Sequence, residues 1–113
     1  MRRIDIITMY RVLCRVKLNK VDDKELRNAL IGNHLKMFRV VRENDEYVTS
    51  LREQFDPEAV KDLNEAYHRY AEETVDIDLT RISPDSLGDV LAKSDIDFTL
   101  AEMSSLEPLF QEE

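Results

Sequence analysis

Two histidines, one cysteine and a repeated pair of aspartates are the residues of this chain whose types suit chemistry. An imidazole becomes half of a metal site when a second His, Asp or Glu lies three or four residues away on the same helical face. His68 has Glu65 and Glu72 at those spacings, enough for a carboxylate–His site, and reads more simply as an ion-paired residue on a solvated face. His34 lies near Ile31 and Phe38 and reads as a histidine at the edge of an interface. Cys14 follows Leu13, with Arg11 and Arg15 nearby. Cations of this kind lower a thiol pKa and activate it. With no His close in sequence, though, the expected role is that of a small buried hydrophobe. A single Cys also excludes an internal disulfide and a thiolate cluster within one chain.

The aspartates are more specific. Asp76-Ile77-Asp78-Leu79-Thr80 returns nineteen residues later as Asp95-Ile96-Asp97-Phe98-Thr99. On a strand, alternate residues share a face, so each copy would present two carboxylates together. Four side by side would suit Ca²⁺ or Mg²⁺. The plainer reading makes them the solvent face of strands whose Ile77/Leu79 and Ile96/Phe98 faces are buried, with the charges opposing edge-to-edge aggregation. No phosphate loop, G-x-S-x-G elbow or H-E-x-x-H is present. Catalytic residues, metal ligands and cofactors are therefore not assigned, and a non-enzymatic protein is expected.

Charge supplies a further class of candidate. The 113 residues hold 16 Lys+Arg and 24 Asp+Glu, for a net charge of −8. Residues 1–55 carry +4 and residues 56–113 carry −12. Such a split marks an interaction surface or complementary self-association. Within the basic half, Arg11, Arg15, Lys36, Arg39 and Arg42 are candidate phosphate contacts for a nucleic-acid-associated role. The acidic second half favours neutralisation inside the chain or across subunits instead. No apolar run reaches the roughly 18 residues that span a bilayer. The opening MRRIDIITMYRVLC has charges at Asp5, Arg11 and Arg15 and does not read as a signal peptide. A soluble, cytoplasmic protein without a membrane partner is expected.

These residues must be positioned by helices. Ile6, Met9, Tyr10, Leu13 and Val16 recur at helical spacing and predict a first helix from about Asp5 to Val16. Asp22 and Glu25 resemble a capping box opening a second helix of about 33 residues, roughly 50 Å long at 1.5 Å per residue. Leu26, Leu30, Asn33, Met37, Val40, Asn44, Tyr47 and Leu51 form a heptad seam along it, widened by Ile31, Phe38, Val41, Val48 and Phe55. Gly32 interrupts it mildly. Asp56-Pro57-Glu58 turns the chain into a third, antiparallel helix of about 18 residues. Period-two alternation over residues 76–82 predicts a strand, and residues 95–99 a second. Ser83-Pro84 and Thr99 with Glu102 cap short helices after each. The tail is expected to order through Leu109 and Phe110 and then fray over its last glutamates.

The expected fold is mainly α, a single domain over residues 1–113. It comprises a long antiparallel helical hairpin with a short N-terminal helix and a small C-terminal β element of two short strands plus short helices. A rod of ~50 Å exceeds what a 113-residue globule with a radius of gyration near ~13 Å could cover. A homo-oligomer is therefore expected, a dimer favoured, with Met37, Val40, Asn44, Tyr47, Leu51 and Phe55 at the contact. Asn33 and Asn44 on the seam would set register if buried there, or lie at its margin if the helix twists and the seam drifts.

The run Val75-Asp76-Ile77-Asp78-Leu79, then Ile82-Ser83-Pro84-Asp85-Ser86-Leu87, closing with Leu100-Ala101-Glu102-Met103-Ser104-Ser105-Leu106-Glu107-Pro108-Leu109, resembles small helical proteins encoded by phages and prophages. That resemblance implies a virion-assembly or host-takeover accessory protein of a family without an assigned activity, and it carries over no catalytic residue. The function expected is that of an oligomeric adaptor or assembly factor, the alternative being a nucleic-acid-associated regulator.

Overall fold

The structure is a computed structural model and describes residues 1–111. Helix α1 spans Arg3–Leu13, α2 Lys24–Gln54, α3 Val60–Glu72, α4 Pro84–Ser94 and α5 Leu100–Ser105. Single 3-10 turns lie at Leu18–Lys20 and Glu107–Leu109. Side-chain caps start three of the helices by taking up orphan amides. Asp23, rather than Asp22, caps α2 by accepting from the Glu25 and Leu26 N–H groups. Ser83 caps α4 ahead of Pro84. Thr99 and Glu102 form a reciprocal capping box on α5. Helix α2 runs through Gly32 unbroken.

The molecule measures 49 × 27 × 24 Å, and α2, at ~46 Å for its 31 residues, sets the long axis. Two shorter helices lie end to end along its seam. Helix α3 folds back on the C-terminal half, where Tyr70 stacks on Tyr47 with ring centroids 3.8 Å apart. Helix α1 runs antiparallel along the N-terminal half, with the Tyr10 ring 5.0 Å from that of His34. The two meet where the Arg3 N–H donates to Glu73 O (3.0 Å) and the Val75 N–H donates to Met1 O (2.7 Å).

This arrangement corrects the expected subunit contact. Met37, Val40, Asn44 and Leu51 are buried within one chain, Tyr47 is taken up by Tyr70, and Phe55 is half-buried at the hairpin turn. A heptad pattern records that one face of a helix is covered but not what covers it. Here α1 and α3 together approach the length of α2 and cover the rod from the same chain.

No strand forms among the described residues, so the expected C-terminal β element is also corrected. Residues 76–82 are extended and do alternate, with Ile77 and Leu79 packed on the core and Asp76 and Asp78 exposed. Their backbone partners, however, are not a second strand. The Asn33 amide on α2 takes both polar groups of Thr80: its Nδ2 donates to Thr80 O and its Oδ1 accepts from the Thr80 N–H, each at 2.8 Å. Farther on, the Ile82 N–H donates to Leu109 O (2.8 Å) and the Gln111 N–H donates to Ile82 O (2.9 Å), an isolated parallel bridge. The second copy of the motif is differently used. Asp95 ends α4 in the left-handed region at φ 55°, and Asp97 O accepts from Arg15. Its Ile96 and Phe98 side chains pack on the same core cluster as Ile77 and Leu79. The fraying expected of Glu112 and Glu113 lies outside the described residues.

Candidate interaction surface

Four of the twelve basic residues of the first half, Arg2, Arg3, Arg15 and Lys36, reach into the acidic second half. Arg15 on the turn after α1 pairs with Glu102, donates to Asp97 O (2.9 Å) and lies over the Phe98 ring with its guanidinium 4.9 Å from the centroid. Lys36 donates to Asp78 O at 2.6 Å. Arg2 reaches Asp5 and Glu72, and Arg3 reaches Glu73 while stacking 4.0 Å over Tyr70. Arg42 approaches Glu46 at 4.0 Å. Arg11 and Arg39 make no ion pair among the described residues. The five candidate phosphate contacts therefore do not form one free basic patch. The clamp also shifts the acid it uses: the Thr99 N–H and the Arg15 guanidinium hold the Glu102 carboxyl below the usual carboxylate range.

The metal candidates do not converge. Among the described residues no three His, Cys, Asp or Glu side chains are grouped to hold an ion, so Asp76, Asp78, Asp95 and Asp97 are not brought side by side. His68 lies exposed on the outward face of α3 beside Glu65 and Arg69. Cys14, the residue after the last of α1, is exposed rather than buried.

What remains unpartnered is the side of α2 opposite the seam. Ile31, Leu35 and Phe38 are 39%, 63% and 44% exposed, and their spacing of four and three places them in one line. His34 stands in the same line of sight, its ring nearly parallel to that of Phe38 (9°) with centroids 6.4 Å apart. Tyr10 of α1 flanks both aromatic rings. Burial at this junction, reinforced by the neighbouring Cys14, pushes the Tyr10 hydroxyl pKa up. Where α1 ends, Leu13, Cys14, Val16 and Leu18 form one wall of a cavity of about 400 Å³ whose other wall is Leu30, Ile31, His34 and Leu35. The strip and cavity together make a groove with apolar walls, a single imidazole and a thiol.

Sequence spacing placed Ile31 and Phe38 on a row flanking the seam and His34 at an interface edge, but it missed Leu35. The signal was there: Leu35 completes an i, i+4, i+7 apolar line with Ile31 and Phe38, on the face where the seam is not.

No helix among the described residues is long and apolar enough to cross a membrane. Comparison with protein-family models, with curated proteins and with solved structures finds no match to this chain.

Proposed function

We propose that this chain is a non-enzymatic interaction protein, an adaptor or assembly factor of the kind its C-terminal pattern resembles, which docks a partner on the outward face of α2. The observation that carries this reading is the line of Ile31, Leu35 and Phe38, exposed beside a 400 Å³ apolar cavity on a helix whose other face is already filled. Scattered exposed apolar residues need no explanation, whereas a contiguous apolar face rimmed by charge marks a binding surface. Helix-in-groove recognition uses this i, i+4, i+7 spacing. The paired state of Arg2, Arg3 and Arg15 weighs against a phosphate-binding role. The test is a photo-crosslinking amino acid at Leu35, compared with the same group at Glu65 on α3, in cells expressing the full chain. A discrete adduct from position 35 that disappears with Phe38→Glu is expected. Crosslinking no stronger at position 35 than at position 65 would overturn the reading.

A further inference from the structure

On the covered face of α2 one buried side chain lacks a partner. Asn44 is only 5% exposed, and its Oδ1 is shut away with no hydrogen bond among the described residues. A buried polar group left unpaired destabilises a fold and calls for an explanation. The other end of the amide supplies one. Oδ1 alone is sealed in, which leaves the Nδ2 hydrogens at the wall of a cavity of about 320 Å³ between α1, α2 and α3. Arg11 of α1 and Arg52 of α2 line the same cavity, and neither has an ion-pair partner among the described residues. Three donors, two of them cationic, thus face one space. The one carboxylate in the walls is that of Asp45, so the lining stays net positive.

Donors of this kind select an oxyanion, because a guanidinium presents paired N–H groups that match a carboxylate or a phosphate. The rest of the lining adds a second requirement. Val48, Leu51, Leu63 and the Tyr67 ring supply apolar wall. The volume equals roughly ten waters at ~30 Å³ each, more than a bare inorganic anion fills, and it lies in the range of small-molecule sites. We propose that this cavity binds a small organic anion. Its carboxylate or phosphate head is held by Arg11, Arg52 and the Asn44 amide, and its apolar body lodges against Val48, Leu51 and Leu63. The site takes one small molecule and is not the continuous basic stripe that a nucleic acid needs. It shares no residue with the cavity beside Ile31 and Leu35, so it stands apart from the docking face. Asn44 then serves the ligand while destabilising the fold, a common pairing at binding sites.

The test titrates the isotope-labelled full chain at low salt with phenyl phosphate, benzoate and benzyl alcohol into the millimolar range, following the Asn44 side-chain amide and the arginine Nε–H signals by NMR. Saturable shifts at Asn44, Arg11 and Arg52 are expected with at least one of the two anions and not with the alcohol. Tighter binding of phenyl phosphate identifies a phosphate ester as the preferred head group, and tighter binding of benzoate a carboxylate. Arg11→Gln and Arg52→Gln should each weaken binding about ten-fold. Asp45→Asn should strengthen it by removing the opposing charge. Asn44→Leu should lose binding while unfolding at a higher urea midpoint than the unsubstituted protein, a combination that a folding defect would not give. No saturable shift with either anion, equal shifts with benzyl alcohol, or an affinity unchanged in both arginine variants would overturn the proposal.

Discussion

The two buried asparagines of α2 occupy equivalent seam positions and do opposite things. Asn33 gives both of its amide groups to Thr80 and so replaces the strand that the extended segment lacks. Removing it orphans a donor and an acceptor next to the core, at a cost set by their desolvation. Asn33→Leu should therefore lower the unfolding free energy by about 2–3 kcal/mol in urea titrations. Asn44 has its Oδ1 buried with no hydrogen-bond partner. Asn44→Leu removes an unsatisfied oxygen in favour of a side chain of similar volume, and should raise stability by about 1 kcal/mol by the same measurement. Equal losses for the two variants would contradict this assignment. Neither asparagine needs a second subunit to account for its position. Both were legible as seam positions but not as buried ones, and their separate fates depend on Thr80, forty-seven residues from Asn33.

At the scale of the element, the ends of the short C-terminal helices decide how the acidic half attaches to the basic one. Asp95 closes α4 with φ 55°, a conformation that suits glycine far better than a residue with a Cβ. Asp95→Gly should raise stability by about 0.5–1 kcal/mol, read as a shift in the urea midpoint at unchanged slope. The same substitution would have been disruptive had Asp95 belonged to a cation site. At the start of α5, Glu102 closes the capping box and also receives Arg15 from beyond α1. Its carboxyl pKa is lowered on folding, first by the Thr99 N–H and then by Arg15. A lowered value means the folded state holds the carboxylate more tightly than the unfolded chain does. The stabilisation is full above the ordinary value of 4.5 and is lost as the pH falls through the lower folded one. Glu102→Gln should therefore cost stability at neutral pH, and its deficit against the unsubstituted protein should shrink as denaturation is repeated at pH values falling below 4.5. A deficit independent of pH would show that the carboxylate contributes through packing alone. The caps themselves were readable from Ser83-Pro84 and Thr99/Glu102, because capping is chemistry between near neighbours.

Over the whole molecule, length and charge have a common explanation. A radius of gyration of 16.3 Å, above the ~13 Å of a compact chain of this size, reflects α2 projecting the full length of the particle while two helices in series cover its seam. A Leu35→Glu variant, altered on the outward face alone, should retain this elongation in small-angle scattering. A value near ~13 Å would mean that α1 and α3 do not lie end to end. The opposed charges of the two halves are spent partly inside the chain, through Arg2–Glu72, Arg3–Glu73, Arg15–Glu102 and Lys93–Asp22. These pairs are mostly exposed, so each contributes little alone. Their joint effect is to orient the acidic half on the basic one.

By itself the sequence determined the local matters: mostly helical structure, a long α2 begun by an aspartate, the proline turn after it, the caps of the last two helices and an amphipathic extended segment. Each of these follows from residues within one or two turns of each other. Only the tertiary structure decided what covers what. Periodicity identifies a buried face but is blind to the identity of its cover, so the seam read as a subunit contact when α1 and α3 fill it from within. Alternation identifies an extended segment but not its hydrogen-bond partner, so two strands were expected where Asn33 and the Leu109–Gln111 segment serve instead. Once the seam was filled, the opposite face of α2 was left bare. Ile31, Leu35 and Phe38 acquired their meaning from that vacancy, which no spacing along the chain could reveal.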